Sequence, residues 1–536
     1  MSSAEHADEP FDLIIVGAGF AGLYMLHRAR GMGLRARVIE EASGVGGTWY
    51  FNRYPGARCD VESLEYCYSF DEDLQREWTW SERYSTQPEI LRYLNHVADR
   101  FNLRTDITFD TRVESATFAD ADDIWHVRTD AGEELTTTFV VMATGCLSSA
   151  NLPDITGRDD FAGEMYHTGR WPTTPVDFTG RRVGVIGTGS SGIQSIPEIA
   201  RDASQLTVFM RSPQYATPAR NGPMDEALVA RVGEDYDSFR AANQLETGAF
   251  GSHYGGSDVS ALAVTEQDFQ AEMERRWERG GFEFYRAFGD TGLVADANQR
   301  VAGFVKSKIA ELVEDQSLAA RLTPDTMIAC KRPVLDSNYF QTYNEDHVSL
   351  VDLRDAPISR ITADGVVVDE TVHELDVLVF ATGFDAMTGA LLKIDITGRN
   401  GVTLAEQWAE GPKTYLGLGV ANMPNLFTVT GPGSPSVLTN MVMAIEQHVD
   451  WISDCLRWMA ANGHATIEAA PDAVDAWVDH VNAVADMTLY PTCNSWYLGA
   501  NIPGKKRVFM PLVGYPPYKE KCEAVAAAGY EGFIVT

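Results

Sequence analysis

Two glycine-rich loops, each placed directly after a short apolar strand, constrain the fold of this 536-residue chain more than any other feature. The first loop follows the apolar run 11–16 and leads into a helical stretch from Leu23. In such a unit one glycine forms the turn, a second lets the backbone approach a pyrophosphate, and a third lets helix and strand pack closely. The glycines expected to do this are Gly17, Gly19 and Gly22.

The residue at the end of the next predicted strand indicates what the first loop binds. The strand 35–39 ends in Glu40, which follows Gly17 at about the spacing of 20 residues expected for a residue that binds a ribose diol. A carboxylate accepts hydrogen bonds from the ribose hydroxyls but repels a 2′-phosphate. The first site therefore suits FAD, whereas a glycine-rich turn without a ligand is the alternative.

The second loop has the same setting but a different neighbour. It follows the predicted strand 182–186, and the next strand, 206–210, ends in Arg211 instead of an acid. An arginine can pair with a 2′-phosphate, so this site suits NADPH better than NADH. The alternative is that Arg211 is a solvated surface residue. The loop itself consists of Gly187, Thr188, Gly189, Ser190, Ser191 and Gly192.

Two apolar runs that close in Ala-Thr-Gly, 139–145 and 378–383, indicate where the chain crosses between domains. A chance strand–turn repeat is the alternative. We predict an α/β fold with two nested, Rossmann-like dinucleotide-binding domains and a helical insertion. The expected parts are an FAD-binding domain in 1–150 and 384–536, an NADPH-binding domain in 151–220 and 329–383, and the helical insertion in 221–328.

Charge and composition exclude several classes of function. The net charge of −33 disfavours nucleic acids and anionic membranes as partners. The longest apolar stretch, 13–26, is interrupted by glycine and too short for a membrane span. The sequence contains neither HExxH nor GxSxG, so a metal site or a nucleophile triad is not expected.

The termini and cysteines predict a location. The polar, acidic N-terminus shows no secretory signal. The seven cysteines are odd in number and scattered, and none form a CxxC pair, so we expect reduced thiols and a cytoplasmic protein. The sequence leaves the oligomeric state open between a monomer and a small homo-oligomer.

Two further motifs resemble those of one family. Residues 161–172, FAGEMYHTGRWP, fit the pattern FxGxxxHxxxWP, and 46–60, GGTWYFNRYPGARCD, fit a longer upstream pattern. Both are signatures of type I Baeyer–Villiger monooxygenases, the family of phenylacetone and cyclohexanone monooxygenases, and the resemblance runs along nearly the whole chain. The shorter signature comprises Phe161, Gly163, His167, Trp171 and Pro172.

The resemblance implies roles for individual residues. Arg332 matches the active-site arginine of the family and Asp60 its acidic partner beside the flavin. Lys331 matches a lysine that contacts the 2′-phosphate, and Trp496 matches a contact to the nicotinamide. FAD contacts are also implied for the segment Gly47, Thr48 and Trp49, and pocket positions for Cys146, Ser436, Val437 and Leu438.

Each of these roles has a plainer alternative. The pair Lys331 and Arg332 fits a solvated turn, Asp60 fits a surface acid, and Trp496 fits a core tryptophan. His167 is expected to couple domain motion as a linker residue, and Trp171 to anchor packing, rather than to take part in the chemistry.

The resemblance implies a flavoprotein that uses NADPH and O2 to convert a ketone into an ester or lactone. By this resemblance, NADPH would reduce FAD, and the reduced flavin would form a C4a-peroxyflavin whose anionic form would attack the ketone. Arg332 is expected to stabilise that anion. The alternatives are an N- or S-oxygenating flavin monooxygenase, which usually lacks the Trp-Pro ending, and a non-catalytic dinucleotide sensor. The preferred ketone is left open.

Overall fold

The fold is taken from a computed structural model that describes residues 10–536. Residues 1–9, where no secretory signal is expected, lie outside the described residues. Two separate sheets with helices packed on them, one mixed and one parallel, make up the centre of the molecule, and the predicted α/β class is confirmed. Within residues 10–536 no helix combines the length and the apolar character needed to cross a membrane.

The first sheet contains the first glycine loop. Its central strands are parallel, and the strand before the loop lies between the strands 134–142 and 36–39. The side chains of four residues in these strands are fully buried, namely Leu13, Ile14, Ile15 and Val38. This burial fits parallel strands covered on both faces of the sheet. The strands of this sheet are Phe11–Val16, Ala36–Ile39, Ile107–Thr108, Val113–Ala119, Ile124–Thr129, Glu134–Met142, Asp395–Thr397 and Leu426–Thr428.

The second sheet contains the second glycine loop and is parallel throughout. Its strand 182–186 has the predicted bounds. The strand 205–210 begins one residue earlier than the predicted strand 206–210. A small antiparallel sheet, 358–374, packs against it. The strands of the second sheet are Glu164–His167, Arg182–Ile186, Gln205–Met210, Val348–Asp352 and Val377–Phe380.

Helices complete the two units. The helices Phe20–Gly31 and Ser190–Ala200 begin inside the two glycine loops. The long helix Met441–Asn462 packs on the first of them. Five α-helices lie between the short strands 216–218 and 334–336, namely Glu226–Glu234, Tyr236–Gln244, Glu266–Arg279, Ala295–Leu312 and Gln316–Leu322. Further helices are Gln87–Arg100, Pro471–Asp486 and Tyr515–Ala527.

One sequence prediction is wrong, because Cys330 and Cys493 form a disulfide. Their Cα atoms are 6.0 Å apart, a usual separation for bridged cysteines, although they are 163 positions apart in the chain. The prediction of reduced thiols used the number and spacing of cysteines, and neither reports which ones the fold brings together. The remaining five cysteines are free and buried.

A buried acid, Glu446, joins the long helix to the loop that precedes residue 71. Its carboxylate accepts hydrogen bonds from the Ser69 N–H at 2.6 Å, the Ser69 hydroxyl at 2.7 Å and the Phe70 N–H at 3.1 Å. Burial raises the pKa of Glu446 to about 7, although the hydrogen bonds from Ser69 act in the opposite direction. The folded protein therefore holds a proton on this acid more tightly than the unfolded chain does.

We expect this acid to make stability depend on pH. The stabilisation from its proton is complete below the unfolded pKa of 4.5 and is lost as the pH rises through about 7. In Glu446→Gln the amide can keep the same partners without titrating. Between pH 4.5 and about 7, the midpoint of urea unfolding should therefore fall less steeply with pH in this variant than in the wild type. The exposed control Glu226→Gln should keep the wild-type slope, and an equal slope in all three proteins would contradict the assignment.

Candidate active site

The first glycine loop forms a close-packed cradle. Gly17 has φ +103°, and a Cβ there would lie 2.7 Å from the backbone oxygen of Ala143, so only glycine fits the turn. Gly19 faces the backbone of Gly47, whose Cα would lie 3.5 Å from a Cβ at Gly19. The helix 20–31 starts at this point with its N–H groups directed at the loop. This geometry fits a pyrophosphate group held by backbone donors.

Glu40 is placed for the ribose role. It is buried, and its carboxylate accepts hydrogen bonds from the N–H groups of Ala18 at 2.5 Å and Ala42 at 2.7 Å. Burial raises the pKa of Glu40, although the two N–H groups act to lower it. Each carboxylate oxygen keeps a second lone pair, so the group can still accept from ribose hydroxyls. These residues fit FAD.

The second glycine loop leaves open space where a ligand could approach the protein backbone. Gly187 has φ +112° and forms the turn, while a Cβ at Gly189 would meet no atom within 4 Å. Gly189 immediately precedes the helix Ser190–Ala200, as Gly19 precedes the helix Phe20–Gly31. The two glycines have nearly equal φ values of −83° and −81°. Thr188 fixes the following turn by donating to the Ser212 carbonyl at 2.9 Å. The loop therefore fits a second dinucleotide.

Arg211 and Lys331 form a cationic pair beside this loop. Burial lowers the pKa of Lys331, and the positive charge of Arg211 lowers it further. Within residues 10–536 neither side chain has a hydrogen bond or ion pair to an acid, although Asp325 acts on Lys331 at longer range. Two cations held close together without a bonded acid fit a doubly charged 2′-phosphate. The site thus fits NADPH.

The structure brings Arg332 and Asp60 together although 272 residues separate them in the chain. The guanidinium donates from Nη2 to Asp60 Oδ1 at 2.8 Å and from Nε to Oδ2 at 3.2 Å, a two-point contact. Its Nη1 donates to the backbone oxygen of Val437 at 2.6 Å. With these three bonds the guanidinium is fixed in position, and 24% of the side chain remains exposed to the site.

The charge of Arg332 is secured by its partner. Burial alone would lower the pKa of Arg332, but the negative charge and hydrogen bonds of Asp60 raise it above its usual range. A guanidinium of this kind stays charged at every working pH and offers N–H donors to a negatively charged oxygen. The arrangement places a fixed positive charge at the site.

The expected pocket residues gather on one side of this arginine. Cys146 and Ser436 are both buried and lie within hydrogen-bonding reach of each other, and the charge of Arg332 acts on the Cys146 thiol. Val437 is buried and supplies the carbonyl that Arg332 contacts, whereas Leu438 is only partly buried. The loop 430–438 therefore shapes the space next to the guanidinium.

The shorter signature lies between the two units. His167 accepts a hydrogen bond from the Gly169 N–H at 2.9 Å and contacts the Thr382 hydroxyl at 3.2 Å. Thr382 in turn donates to the Asn151 carbonyl, so the two chain crossings meet at this histidine. Burial lowers the pKa of His167, which favours a neutral imidazole. This position suits a linker and not a proton donor to substrate.

Its other members are packing residues. Phe161 and Trp171 are buried, and the backbone N–H of Trp171 donates to the Phe51 carbonyl at 3.1 Å, which joins this signature to the upstream one. Gly163 lies against the ring of Phe161, where a Cβ would be 2.7 Å from the ring. Pro172 follows at the rim of a cleft between this segment and the helix Gln87–Arg100.

The upstream signature also bridges the units. Trp49 is buried and its indole N–H contacts the Tyr66 hydroxyl at 3.3 Å, whereas Thr48 is exposed at the first glycine loop. The Tyr54 hydroxyl donates to Gln194 at 2.8 Å, and Gln194 donates to the Arg58 carbonyl at 3.1 Å. The segment that contains Asp60 is therefore bound to the helix of the second glycine loop.

Sequence reasoning missed two neighbours of Arg332. Tyr497 is buried next to Trp496, and its hydroxyl interacts with the guanidinium. Gln214 donates to the Arg332 carbonyl at 2.9 Å. Tyr497 stands beside a residue already singled out, but nothing in the sequence marks its direction, and no signal indicates Gln214. Trp496 itself is partly buried in the same segment.

Comparison with known proteins agrees with this site. A family model described as pyridine nucleotide-disulphide oxidoreductase matches residues 14–235. A Baeyer–Villiger monooxygenase of Pseudooceanicola batsensis is 43% identical over 98% of this chain and 96% of its own length. A phenazine N-monooxygenase of Lysobacter antibioticus is 42% identical over 98% of this chain and 97% of its own.

Solved structures give the same result. An oxidized steroid monooxygenase bound to NADP is 51% identical, with a TM-score of 0.93 over 98% of this chain and 99% of that one. A complex of a relative with FAD and NADP is 38% identical, with a TM-score of 0.94 over 98% of this chain and 99% of that one.

The chain belongs to the Baeyer–Villiger monooxygenases. It is an NADPH-dependent, FAD-containing oxidoreductase, and the predictions of both cofactors and of oxygen insertion from O2 beside a ketone carbonyl are confirmed. The roles of individual residues and the domain boundaries stay predictions.

The open space at Gly189 gives a direct test of the second cradle. In Gly189→Ala the new methyl group clashes with no protein atom, but it occupies the place where the pyrophosphate meets the backbone. We expect unchanged folding and FAD content, and a KM for NADPH raised by about tenfold or more, a loss of about 1.4 kcal/mol of binding. Gly303→Ala, at another open position, is the control, and an unchanged KM would rule out this cradle.

Proposed function

We propose that Arg332, held by Asp60, stabilises the negative charge that develops on oxygen while an oxygen atom is inserted beside a ketone carbonyl. The observation that carries this proposal is the two-point contact of the guanidinium with Asp60, at 2.8 and 3.2 Å, with a third bond to Val437 O. A donor that is already in place stabilises developing charge without reorganising. FAD, when bound, supplies the reaction of O2, with electrons from NADPH.

The remaining residues position the reactants. Glu40 and the first glycine loop would hold the ribose and pyrophosphate of FAD, and Arg211 with Lys331 would hold the 2′-phosphate of NADPH. Trp496 would cover the nicotinamide and exclude water from the site. The buried side chains of Cys146, Ser436 and Val437 would form the wall against which the ketone lies, and so would select its size and shape.

We propose a bulky ketone, such as a steroid ketone, as the substrate class, since a steroid monooxygenase shares 51% of its sequence with this chain. N-oxygenation is a second candidate, because a phenazine N-monooxygenase is 42% identical over 98% of the chain.

A substrate series separates these candidates. NADPH oxidation would be followed with cyclohexanone, phenylacetone, a steroid methyl ketone and phenazine, and the products analysed by mass spectrometry. The proposal expects an ester or lactone, formed fastest from the bulky ketones. Formation of a phenazine N-oxide without any ester would favour the second candidate, and faster turnover of cyclohexanone than of the larger ketones would contradict the proposed size preference.

We further propose a monomer or small homo-oligomer acting in the cytoplasm on a small molecule, with no nucleic-acid partner. The charge of −33 supports the last point, and NADPH dependence together with five free buried cysteines favours a reducing compartment. Light scattering of the purified enzyme and fractionation of the source cells would test both statements.

A further inference from the structure

The disulfide joins two segments that carry residues of the site. Cys330 comes two residues before Arg332 in the chain, and Cys493 comes three residues before Trp496. Both cysteines are buried, with exposed fractions of 2% and 5%. The bridge thus connects the loop that carries the site arginine, residues 327–334, to the segment 493–501.

Few polar contacts join these two segments directly. Among residues 10–536 no backbone hydrogen bond joins 327–334 to 488–501. The interaction of Tyr497 with the Arg332 guanidinium is a further contact. The segment contains only short 3-10 turns, and its other end is fixed by Asn501, which donates to the Phe384 carbonyl at 2.7 Å, and by the ion pair of Lys505 with Asp385.

We propose that Cys330 and Cys493 form a reversible oxidation site that sets how firmly the segment 493–501 is held against the Arg332 loop. In the oxidised protein the covalent bond keeps Trp496 and Tyr497 beside the arginine. In the reduced protein the segment is held there by non-covalent contacts alone and opens more often. The inference goes beyond the proposed function, and only its consequence for the nicotinamide depends on the role proposed for Trp496.

The reaction needs a two-electron oxidant, for which we name hydrogen peroxide. The Cys330 or Cys493 thiolate attacks one peroxide oxygen, the O–O bond breaks, and a sulfenic acid and hydroxide form. The second thiol then attacks that sulfur and displaces its oxygen, so two thiols and one peroxide give one disulfide and two waters. A dithiol reverses the step by thiol–disulfide exchange and is itself oxidised to a disulfide.

The fold itself distinguishes this pair from the other cysteines. It places Cys330 and Cys493 within bonding distance, with Cα atoms 6.0 Å apart, whereas the other five cysteines are free. Hydrogen peroxide is also what reduced flavin and O2 produce when no substrate is oxygenated, so the oxidant arises close to the pair.

The state of the pair can be read by alkylation under denaturing conditions followed by peptide mass mapping. Protein treated with peroxide should show five of its seven cysteines alkylated, with Cys330 and Cys493 in one linked peptide pair, and dithiol-treated protein should show all seven. Alkylation of both cysteines after peroxide treatment would overturn the proposal.

The conformational consequence can be read by limited trypsin digestion, because Lys506 and Arg507 are exposed just beyond the segment. Reduction should speed cleavage at these sites by at least about fivefold, as expected when local opening becomes easier. Cys330→Ala and Cys493→Ala should each be cleaved quickly with or without dithiol. Cys455→Ala removes a free buried cysteine and should behave as the wild type.

Equal cleavage of oxidised and reduced wild-type protein, with the linked peptide present, would also overturn the proposal. Circular dichroism identifies a variant that fails to fold, and the second cysteine variant then replaces it. Neither readout uses ketone turnover, so a failure of the proposed oxygenation would leave both results unchanged and the two failures can be told apart.

Discussion

In Arg332→Ala the rate of ester or lactone formation should fall by about 10²–10³-fold or more, the usual effect of removing a fixed donor to a developing oxyanion. The variant loses the guanidinium that Asp60 and the Val437 carbonyl hold in place. FAD content should stay near the wild-type value, because Arg332 makes no contact with the first glycine loop in the structure. Product analysis by gas chromatography and the flavin absorbance measure both quantities.

Two further variants show whether charge or geometry matters. Arg332→Lys keeps a positive charge but cannot form the two-point contact with Asp60, so it should recover only part of the activity. Arg182→Ala removes an arginine that pairs with Asp376 and Glu374 away from the site and should have wild-type activity. Ester formation by Arg332→Ala at the wild-type rate would refute the role of the arginine.

In the double variant Arg211→Ala/Lys331→Ala the preference for NADPH over NADH should be lost. Each charge-assisted contact to the 2′-phosphate contributes about 1.5–3 kcal/mol, so KM for NADPH should rise about tenfold or more for each residue removed. KM for NADH should change little, since NADH has no 2′-phosphate. Initial rates at varied concentrations of both cofactors give KM for NADPH and for NADH, in the wild type and in the double variant.

The same kinetics contain their own control. A mutation that merely distorts the second domain raises KM for NADPH and NADH alike. A parallel rise in both constants would therefore show that the two cations support the fold and do not recognise the phosphate.

The parts of the fold that follow local rules could be predicted from the sequence. The strands 11–16 and 182–186 have the predicted bounds, because an apolar β-branched run before a glycine loop leaves few alternatives. In the two apolar runs that close in Ala-Thr-Gly, the strands end at Met142 and Phe380, directly before the alanine.

The site itself depends on long-range contacts that no local pattern contains. The pairing of Asp60 with Arg332 could be proposed only through the family resemblance, since 272 residues separate them. The Val437 carbonyl is a backbone atom whose direction depends on the loop, and nothing in the sequence marks the direction of the Tyr497 side chain. The bridge of Cys330 to Cys493 was missed for the same reason, because spacing in the chain does not report distance in space.

The most direct test of the central claim is to run the reaction of purified enzyme, NADPH and a ketone under ¹⁸O2 and to analyse the product by mass spectrometry. We predict an ester or lactone that carries one ¹⁸O atom, formed in proportion to the NADPH consumed, and formed at least about 100-fold more slowly by Arg332→Ala. If every ketone tested gave only hydrogen peroxide in proportion to NADPH, or if the ester carried no label, the account of this site would be contradicted.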